Sequence, residues 1–396
     1  MTKSKQPQYR FDGFEGEWEE KELGDIVQIT MGQSPSSQNY TTNPSDYILV
    51  QGNADIKNGY VFPRVWTTQI TKQADKGDII LSVRAPVGDV GKTNYHVIIG
   101  RGVAAIKGNE FIFQILKYLK EIGYWKRIST GSTFDNISSS DIKYTKIQIP
   151  SLPEQEAIGE LFQTVDQLIQ LQDQKLATLK EQKQTFLRKM FPAQGQKVPE
   201  IRLQGFKGEW EENKLGEVSP LRGGCAFESD KFQSDGIKII RISNILSSGI
   251  IGGEFAHYHQ INNDDKYLLT GGSALIAMSG ATTGKVSILN TEEKYYQNQR
   301  VGYFMDLNKI HYNFIIAFLK SLNFNKQIQS VLVAGAQPNI SSKEIDNFQI
   351  LYPRHNVEQE AIGNFFQTLD QQIAQSEEKL TELKALKQTL LNRLFV

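Results

Sequence analysis

The segment of the sequence closest to a known catalytic motif is residues 86–93, PVGDVGKT, which ends in the Gly-Lys-Thr of a phosphate-binding loop. Such a loop needs glycine at its first position, so that backbone N–H groups can turn towards the phosphates. Pro86 stands there instead, and proline lacks both the N–H and the conformational freedom. In the second half of the chain Gly284-Lys285 is followed by Val286, which has no magnesium-binding hydroxyl. We therefore interpret both segments as turns between strands whose lysine is available to a phosphate.

The sequence contains no other pattern that is typical of a catalytic or metal centre. It has neither a Gly-x-Gly-x-x-Gly cofactor turn nor the Asn-Pro-Pro-aromatic motif of amino-methyltransferases. Cys225 is the only cysteine, which excludes an intramolecular disulfide and a cysteine-cluster metal site. His257 and His259 form one close pair, but no acidic residue or Cys stands at metal-ligand spacing from them, which favours a solvated loop.

Polar side chains on the segments between predicted strands offer a different chemistry. Arg matches guanine, Asn or Gln matches adenine, and Lys pairs with phosphate, so these residue types suit contacts with DNA. The candidates are Arg84, Lys92, Arg101, Ser132, Thr133 and Asn136 in the first half of the chain, and Arg241, Lys285, Arg300, Gln337 and Asn339 in the second. Each is equally compatible with an ordinary turn or strand end, and Asn136 and Asn339 with caps of short helices that begin at Ile-Ser-Ser or thereabouts.

The charge pattern supports contact with nucleic acid only weakly. The chain has 44 basic and 44 acidic residues, whereas a protein that neutralises phosphates usually carries an excess of positive charge. Two windows are locally basic: residues 84–146 hold ten Lys or Arg against five Asp or Glu, and residues 266–343 hold eight against three. We expect the isolated chain to bind DNA weakly.

Two long helices are the elements that must position these segments. Residues 151–191 and 356–395 share EQEAIG, FQT and KQT at a constant offset of 204 positions. Their apolar residues recur at steps of three, four and seven, which predicts a narrow coiled-coil seam. Ser151 and Glu154 suggest a capping box at the start of the first helix, and Pro192 ends it. The predicted interface residues are Ile158, Leu161, Val165, Leu168, Leu179, Phe186, Ile362, Phe365, Leu369, Ile373, Leu383 and Leu390.

A second repeated block opens each half of the chain. GFEGEW at 13–18 matches GFKGEW at 205–210, and a variable region follows each block. Short β-branched or aromatic runs between Gly, Asn, Asp and Pro, such as 47–50, 78–83, 237–242 and 295–305, predict strands. One helix is expected near 111–122 and one near 313–322. Gly91-Lys92 aligns with Gly284-Lys285, and 131–138 aligns with 335–341.

The predicted fold is α/β (α+β), with two globular mixed α/β domains, two long coiled-coil helices that pair with each other and an internal pseudo-two-fold repeat. The predicted boundaries are a first variable domain at 11–150, a first helix at 151–192, a linker at 193–210, a second variable domain at 211–352 and a second helix at 353–396. Domains that share a fold but differ in side chains suggest two related ligands that are not identical.

This ordered duplication, with EQEAIG, KQT and the Gly-Phe-x-Gly-Glu-Trp opener in both halves, resembles the specificity (S) subunit of type I restriction–modification systems. The resemblance runs from about residue 11 to 395. It implies that the variable domains are target recognition domains, each reading one half of a split double-stranded DNA sequence in the major groove. It also implies that the two long helices pack antiparallel, form a spacer that fixes the distance between the half-sites, and dock two methyltransferase (modification) subunits, which restriction subunits join.

The resemblance further implies a subunit with no catalytic centre and no cofactor of its own. S-adenosylmethionine, ATP and magnesium are then expected on the partner subunits only. The absence of a long apolar run and of a charged-then-apolar leader predicts a cytoplasmic location without membrane contact. The main alternative is a non-enzymatic coiled-coil scaffold with two ligand-binding heads, which would not need divergent heads on one frame. A stand-alone nuclease or NTPase would need carboxylates and loops that the sequence lacks.

Overall fold

The computed structural model describes residues 6–130, 135–246, 248–262, 264–334 and 339–395. These form two compact units. The first unit comprises the described residues up to Asp173 together with those from Glu378 onward, and the second comprises Gln174–Glu377. Each long helix therefore begins in one unit and ends in the other.

The first half of the chain forms a mixed α/β domain followed by a helix. Its elements are β1 (Glu19–Glu22), α1 (Leu23–Ile26), β2 (Gln28–Met31), β3 (Tyr40–Thr41), β4 (Tyr47–Val50), β5 (Ile56–Lys57), β6 (Tyr60–Val61), β7 (Trp66–Thr67), β8 (Lys72–Ala74), β9 (Ile79–Ser82), β10 (Val90–Lys92), β11 (Val97–Ile99), β12 (Val103–Lys107), α2 (Glu110–Glu121), α3 (Tyr124–Ile128), α4 (Ser139–Lys143), β13 (Lys146–Ile149) and α5 (Leu152–Lys189). We call residues 19–149 the first domain.

Two sheets build the first domain. One has six strands in the order β2-β12-β9-β10-β6-β5, and the other has five in the order β3-β7-β4-β11-β8. β9 is buried at all four positions, as a run of β-branched and aliphatic residues predicts for a central strand. β1 and β13 pair antiparallel, so that the two ends of the domain meet beside the start of α5.

Helix α2 covers the six-stranded sheet. Asn109 caps it, since its side chain accepts from the backbone N–H of Ile112 at 3.0 Å. Phe111, Ile115 and Leu116 lie on its buried face at helical spacing and pack in one core with Trp18. The predicted helix at 111–122 is thus confirmed within one residue.

The second half of the chain repeats this plan. Its elements are β14 (Glu211–Lys214), α6 (Leu215–Val218), β15 (Leu221–Arg222), β16 (Ile237–Ile240), β17 (Ala256–Tyr258), β18 (Leu268–Leu269), β19 (Ala274–Ala277), β20 (Val286–Ile288), β21 (Tyr295–Gln297), β22 (Val301–Phe304), α7 (Tyr312–Leu319), α8 (Leu322–Ala334), α9 (Ser342–Asp346), β23 (Gln349–Tyr352) and α10 (Asn356–Leu394). We call residues 211–352 the second domain. Its sheets run β15-β22-β19-β20 and β17-β16-β21-β18.

Two sequence predictions for the second domain are wrong in detail. The helix expected at 313–322 is two helices, α7 and α8, because the chain turns at Lys320 and Ser321. The single run expected at 295–305 is β21 and β22, separated by a turn at 298–300. The apolar residues on both sides of that turn conceal it in the sequence.

The long helices are confirmed and pair antiparallel within each unit. In the first unit Asp166 of α5 bonds Lys387 of α10 at 2.6 Å, and Asp173 lies 3.8 Å from Lys384. In the second unit Lys180 bonds Glu377 at 2.6 Å and Lys183 bonds Asp370. As the residue number rises on α5 it falls on α10, which defines the antiparallel direction.

Most residues of the predicted seam are buried or half-buried. Phe186 of α5 and Phe365 of α10 contact edge to face, with ring centroids 5.0 Å apart. Leu168 is the exception among the predicted seam residues. It is 47% exposed, because the seam is too narrow to cover every apolar position on α5. The other predicted seam residues are Ile158, Leu161, Val165, Leu179, Ile362, Leu369, Ile373, Leu383 and Leu390.

Each long helix starts beside a buried ion pair, and at the first helix this pair replaces the predicted capping box. The carboxylate of Glu154 accepts from Nε and Nη2 of Arg10, both at 2.8 Å, instead of folding back on Ser151. Glu358 accepts from Arg202 in the same way, at 2.7 and 2.8 Å. Each pair joins the segment just before an opening block to the long helix of the same repeat.

Candidate nucleic-acid interface

In the first domain several strands end at one place. Four backbone hydrogen bonds hold these ends together: Gln33 N–H to the Ile99 carbonyl (2.9 Å), Gly100 N–H to the Val50 carbonyl (2.8 Å), Val83 N–H to the Gly102 carbonyl (2.9 Å) and Ile137 N–H to the Val83 carbonyl (2.9 Å). We call the side chains presented there the first strand-end cluster: Gln33, Gln51, Arg84, Arg101 and Asn136. Three predicted contact residues, Arg84, Arg101 and Asn136, thus come together, and all three are exposed.

The strand ends approach so closely that glycine is required between them. A Cβ on Gly102 would lie 1.9 Å from the carbonyl oxygen of Gln51, and a Cβ on Gly32 would lie 2.1 Å from that of Gly100. No other residue fits such a backbone contact. The cluster therefore stands on a backbone frame fixed by sheet bonds and glycine contacts.

The second domain makes the same four bonds. They join Cys225 N–H to the Gln297 carbonyl (2.8 Å), Asn298 N–H to the Ile240 carbonyl (3.1 Å), Met278 N–H to the Arg300 carbonyl (3.0 Å) and Ile340 N–H to the Met278 carbonyl (2.9 Å). The second strand-end cluster is Cys225, Arg241, Ser279, Gln299, Arg300 and Asn339. A backbone bridge links Ser279 to Asn339 here, as one links Arg84 to Asn136 in the first domain.

These bonds define equivalent positions without reference to sequence similarity. The equivalent pairs are Gln33 and Cys225, Gln51 and Arg241, Arg84 and Ser279, Arg101 and Gln299, Gly102 and Arg300, and Asn136 and Asn339. Only the asparagine is the same in both domains. One frame therefore carries two different sets of donors and acceptors.

Buried polar contacts hold the turn at 298–300 of the second cluster. The amide Nε2 of Gln297 donates to the carbonyls of Arg222 (2.7 Å) and Val301 (2.8 Å), while Arg222 Nη2 donates to Gln297 Oε1 at 3.1 Å. The Arg222 guanidinium lies 4.6 Å from the ring centroid of Tyr303. Burial lowers the pKa of Arg222 below its ordinary value. Arg222 and Gln297 thus position Arg300 without being exposed as it is.

Lys92 does not belong to the first cluster. Its ammonium pairs with Glu110 of α2 and lies 5.1 Å from the ring centroid of Phe113, so that it ties β10 to the helix. Lys285 is exposed on the turn between β19 and β20, outside the second cluster as defined here. Ser132, Thr133 and Gln337 lie outside the described residues.

The predicted alignment of Gly91-Lys92 with Gly284-Lys285 is out of register. Gly88 and Gly284 are the equivalent glycines, because each donates its N–H to the carbonyl at the end of the preceding strand, Ser82 or Ala277, at 2.8 Å. Both have positive φ, 87° and 80°. The prediction matched the two Gly-Lys dipeptides by letter. The turn from Ser82 to Gly88 and the turn from Ala277 to Gly284 differ in length, so the dipeptides are not equivalent.

Sequence reasoning missed Gln33, Gln51 and Gln299. No motif marks them, and their side chains resemble those of any polar loop. A signal was nevertheless present for Gln51, which directly follows the run 47–50 as Arg241 follows the apolar part of 237–242. Equal placement after corresponding strands could have paired them.

Comparison with known proteins decides the family. The model of the type I restriction modification DNA specificity domain matches residues 15–181 and again residues 207–385, which together make up most of the 396 residues. The chain belongs to the type I restriction–modification specificity subunit family. As such a subunit it is a non-catalytic DNA-recognition component.

Individual relatives agree with the family. One named as the MjaVIII type I restriction enzyme specificity subunit of Methanocaldococcus jannaschii is 23% identical over 96% of this chain and 92% of the relative. Another from that organism, which carries the name of the MjaX specificity subunit, is 36% identical over 180 residues, or 43% of this chain and 42% of the relative. The crystal structure of the S subunit from M. genitalium has a similar fold, with a TM-score of 0.66, 18% identity and 99% of each chain covered.

The described residues lack both a candidate metal-ion site and a candidate membrane-spanning helix. No group of three or more His, Cys, Asp or Glu in that part of the specificity subunit is arranged to hold a metal ion. None of its described helices combines the length and the apolar character needed to cross a membrane.

Proposed function

We propose that the two strand-end clusters read the two halves of a split double-stranded DNA target, the first domain one half and the second domain the other. The observation that carries this proposal is the pairing of one backbone frame with two donor sets. A frame of equal geometry presents side chains to equal positions of a half-site, and the different side chains select different bases there. A scaffold with two binding heads would have no need of this divergence.

The chemistry of the clusters suits the major groove. Arg84 and Arg101 in the first cluster, and Arg241 and Arg300 in the second, provide planar donor forks that match O6 and N7 of guanine. Asn136 and Asn339 occupy one equivalent position and suit a feature common to both half-sites. Lys285, exposed on the turn between β19 and β20, suits a phosphate.

We further propose that the subunit acts in a complex. The long helices α5 and α10 set the distance between the half-sites and dock two methyltransferase subunits, to which restriction subunits bind. S-adenosylmethionine, ATP and magnesium bind to those partner subunits. Because the chain is electrically neutral, the methyltransferase subunits contribute basic surface, and DNA binding by the isolated chain is weak.

Methylation mapping tests this function. The chain is expressed with the methyltransferase subunit encoded beside it, and genomic DNA of the host is sequenced for modified bases. The expected result is a motif of two short defined halves with an undefined spacer. An assembled complex that methylates no split motif would contradict the function and favour the scaffold.

A further inference from the structure

Two buried donor atoms at equivalent positions of the two clusters have no acceptor. They are Nε2 of Gln51 and Nε of Arg241, the residues that directly follow β4 and β16. A buried donor without a partner is destabilising, and most buried polar groups in folded proteins are paired. Because the unpaired donor recurs at the same position in both domains, its cause should be common to both.

Packing in the core does not provide that explanation. The other buried side-chain atoms of the described residues that lack a partner belong to Gln114, Gln148, Trp210 and His311. These do not form an equivalent pair: Trp18, which corresponds to Trp210 in the repeated opening block, donates to Glu154 at 3.3 Å. The paired deficiency is a property of the strand-end clusters.

Hydrogen bonds fix the backbones of Gln51 and Arg241, whereas the donors Nε2 and Nε of their side chains make none. The N–H of Gln51 donates to Oδ2 of Asp55 at 2.7 Å, and the N–H of Arg241 donates to Oδ1 of Asn244 at 3.0 Å. A short 3-10 turn follows each residue and supplies that acceptor. The backbone is thus preorganised for recognition at no further conformational cost.

Arg241 is only lightly held beyond its backbone. Its guanidinium lies 5.9 Å from the ring centroid of Phe232, and Nη2 donates to the carbonyl of Glu254 at the long distance of 3.4 Å. Neither contact opposes rotation of the fork towards a stronger acceptor. Gln51 likewise loses no hydrogen bond at Nε2 when its amide turns outward.

The acceptors that fit these donors differ in a defined way. A glutamine amide donates to N7 of adenine and accepts from its N6 amino group, whereas a guanidinium donates to O6 and N7 of guanine. We propose that Gln51 and Arg241 occupy the same reading position in the two domains, where Gln51 selects adenine in one half-site and Arg241 selects guanine in the other. This inference rests on the proposed function and adds specificity-determining residues to it.

The test exchanges the two side chains in the intact complex. Arg241→Gln is expected to replace a guanine by an adenine at one position of the second half-site, and Gln51→Arg to make the opposite change in the first. The preference at the altered position should reverse by roughly tenfold or more, the range for one bidentate contact. The readout is the fraction of each sequence that is methylated in host DNA.

Two further variants keep the test decisive. Lys238→Gln removes a positive charge from β16, the strand that Arg241 directly follows, and Lys238 pairs with Glu293, so the motif should not change. Gln51→Ala costs the fold no hydrogen bond at Nε2 and should relax one position of the first half-site, even if the exchanged variants do not assemble.

The outcomes separate the inference from the function it rests on. No split motif with the unaltered chain would contradict the proposed function. The inference would be overturned, and the proposed function kept, if the split motif stays identical with Gln51→Ala. The same motif must then also be found with whichever of Gln51→Arg and Arg241→Gln assemble into the complex. A change in the half-site of the other domain would overturn it as well.

Discussion

The first and second domains make the same four backbone bonds at their strand ends, but five of the six equivalent positions there carry different side chains. The regions that support the domains diverge far less. Asp166 and Asp370, Lys387 and Lys183, Glu154 and Glu358, and Arg10 and Arg202 are identical across the repeat and make matching contacts. The long helices and the backbone bonds at the strand ends therefore place a side chain at the same position in both domains. The two domains differ in which side chain occupies that position.

Asp166 and Asp370 form equivalent charged junctions, since each carboxylate is held by two lysines. Asp166 accepts from Lys387 at 2.6 Å and from Lys117 of α2 at 3.2 Å. Asp370 accepts from Lys183 and, at 2.6 Å, from Lys320 at the end of α7. Each carboxylate thus joins its own helix, the other long helix and a helix of the domain.

The largest expected effect comes from truncating the aromatic residue that follows each long helix. Phe191 packs in the second unit with Phe314 (5.6 Å between centroids) and Trp210 (6.1 Å), and Phe395 packs in the first with Phe111 at 5.4 Å. Phe191→Ala and Phe395→Ala should each lower the free energy of unfolding by about 3–5 kcal/mol. Denaturant titration of each variant measures this. Costs below about 1 kcal/mol for one variant alone would break the equivalence of the two supports.

A smaller effect should distinguish the two buried ion pairs. Removing either arginine leaves a carboxylate that is 1% exposed, which costs about 3–5 kcal/mol when no partner remains. Glu154 keeps a hydrogen bond from Trp18, whereas Nε1 of Trp210 has no partner. Arg202→Met should therefore destabilise the chain more than Arg10→Met, by about 1 kcal/mol. Equal losses in thermal and denaturant unfolding would show that the tryptophan bond contributes nothing.

A third effect is a pH dependence of stability, which arises where Lys117 and Asp166 meet. Burial, aided by the nearby Lys387 ammonium, lowers the pKa of Lys117 to about 8. An unfolded chain holds this proton up to about pH 10.4, so the unfolded state binds more protons between these values. The free energy of unfolding should therefore rise with pH from about 8 to about 10, and the penalty should be complete below about 8.

Lys117→Met tests that pH dependence. The variant should flatten the rise in the free energy of unfolding, measured by denaturant titration at several pH values between 7 and 10. Asp166 keeps Lys387 and Gln114 as partners in the variant, so its carboxylate is not left unpaired. An unchanged slope would assign the pH dependence to other groups.

The sequence predicted the architecture well because duplication is visible letter by letter. The long helices and the mixed α/β domains follow from EQEAIG, KQT and short strand runs, whereas the antiparallel pairing of the helices was implied by the family resemblance. The clusters were predicted only in part. Arg84, Arg101 and Asn136 were found by residue type, but Gln51 was missed and Lys92 was included. Cross-strand backbone bonds decide which loop residues meet, and those bonds join residues that are distant in sequence.

We propose that each domain alone determines one half-site, and a duplicated domain tests this most directly. Residues 19–149 replace residues 211–352, the two long helices are kept, and the chain is expressed with its methyltransferase subunit for methylation mapping. The expected result is a split motif whose two halves are the same sequence, equal to one half of the unaltered motif. Two different halves, or the unaltered motif, from an assembled complex would contradict it.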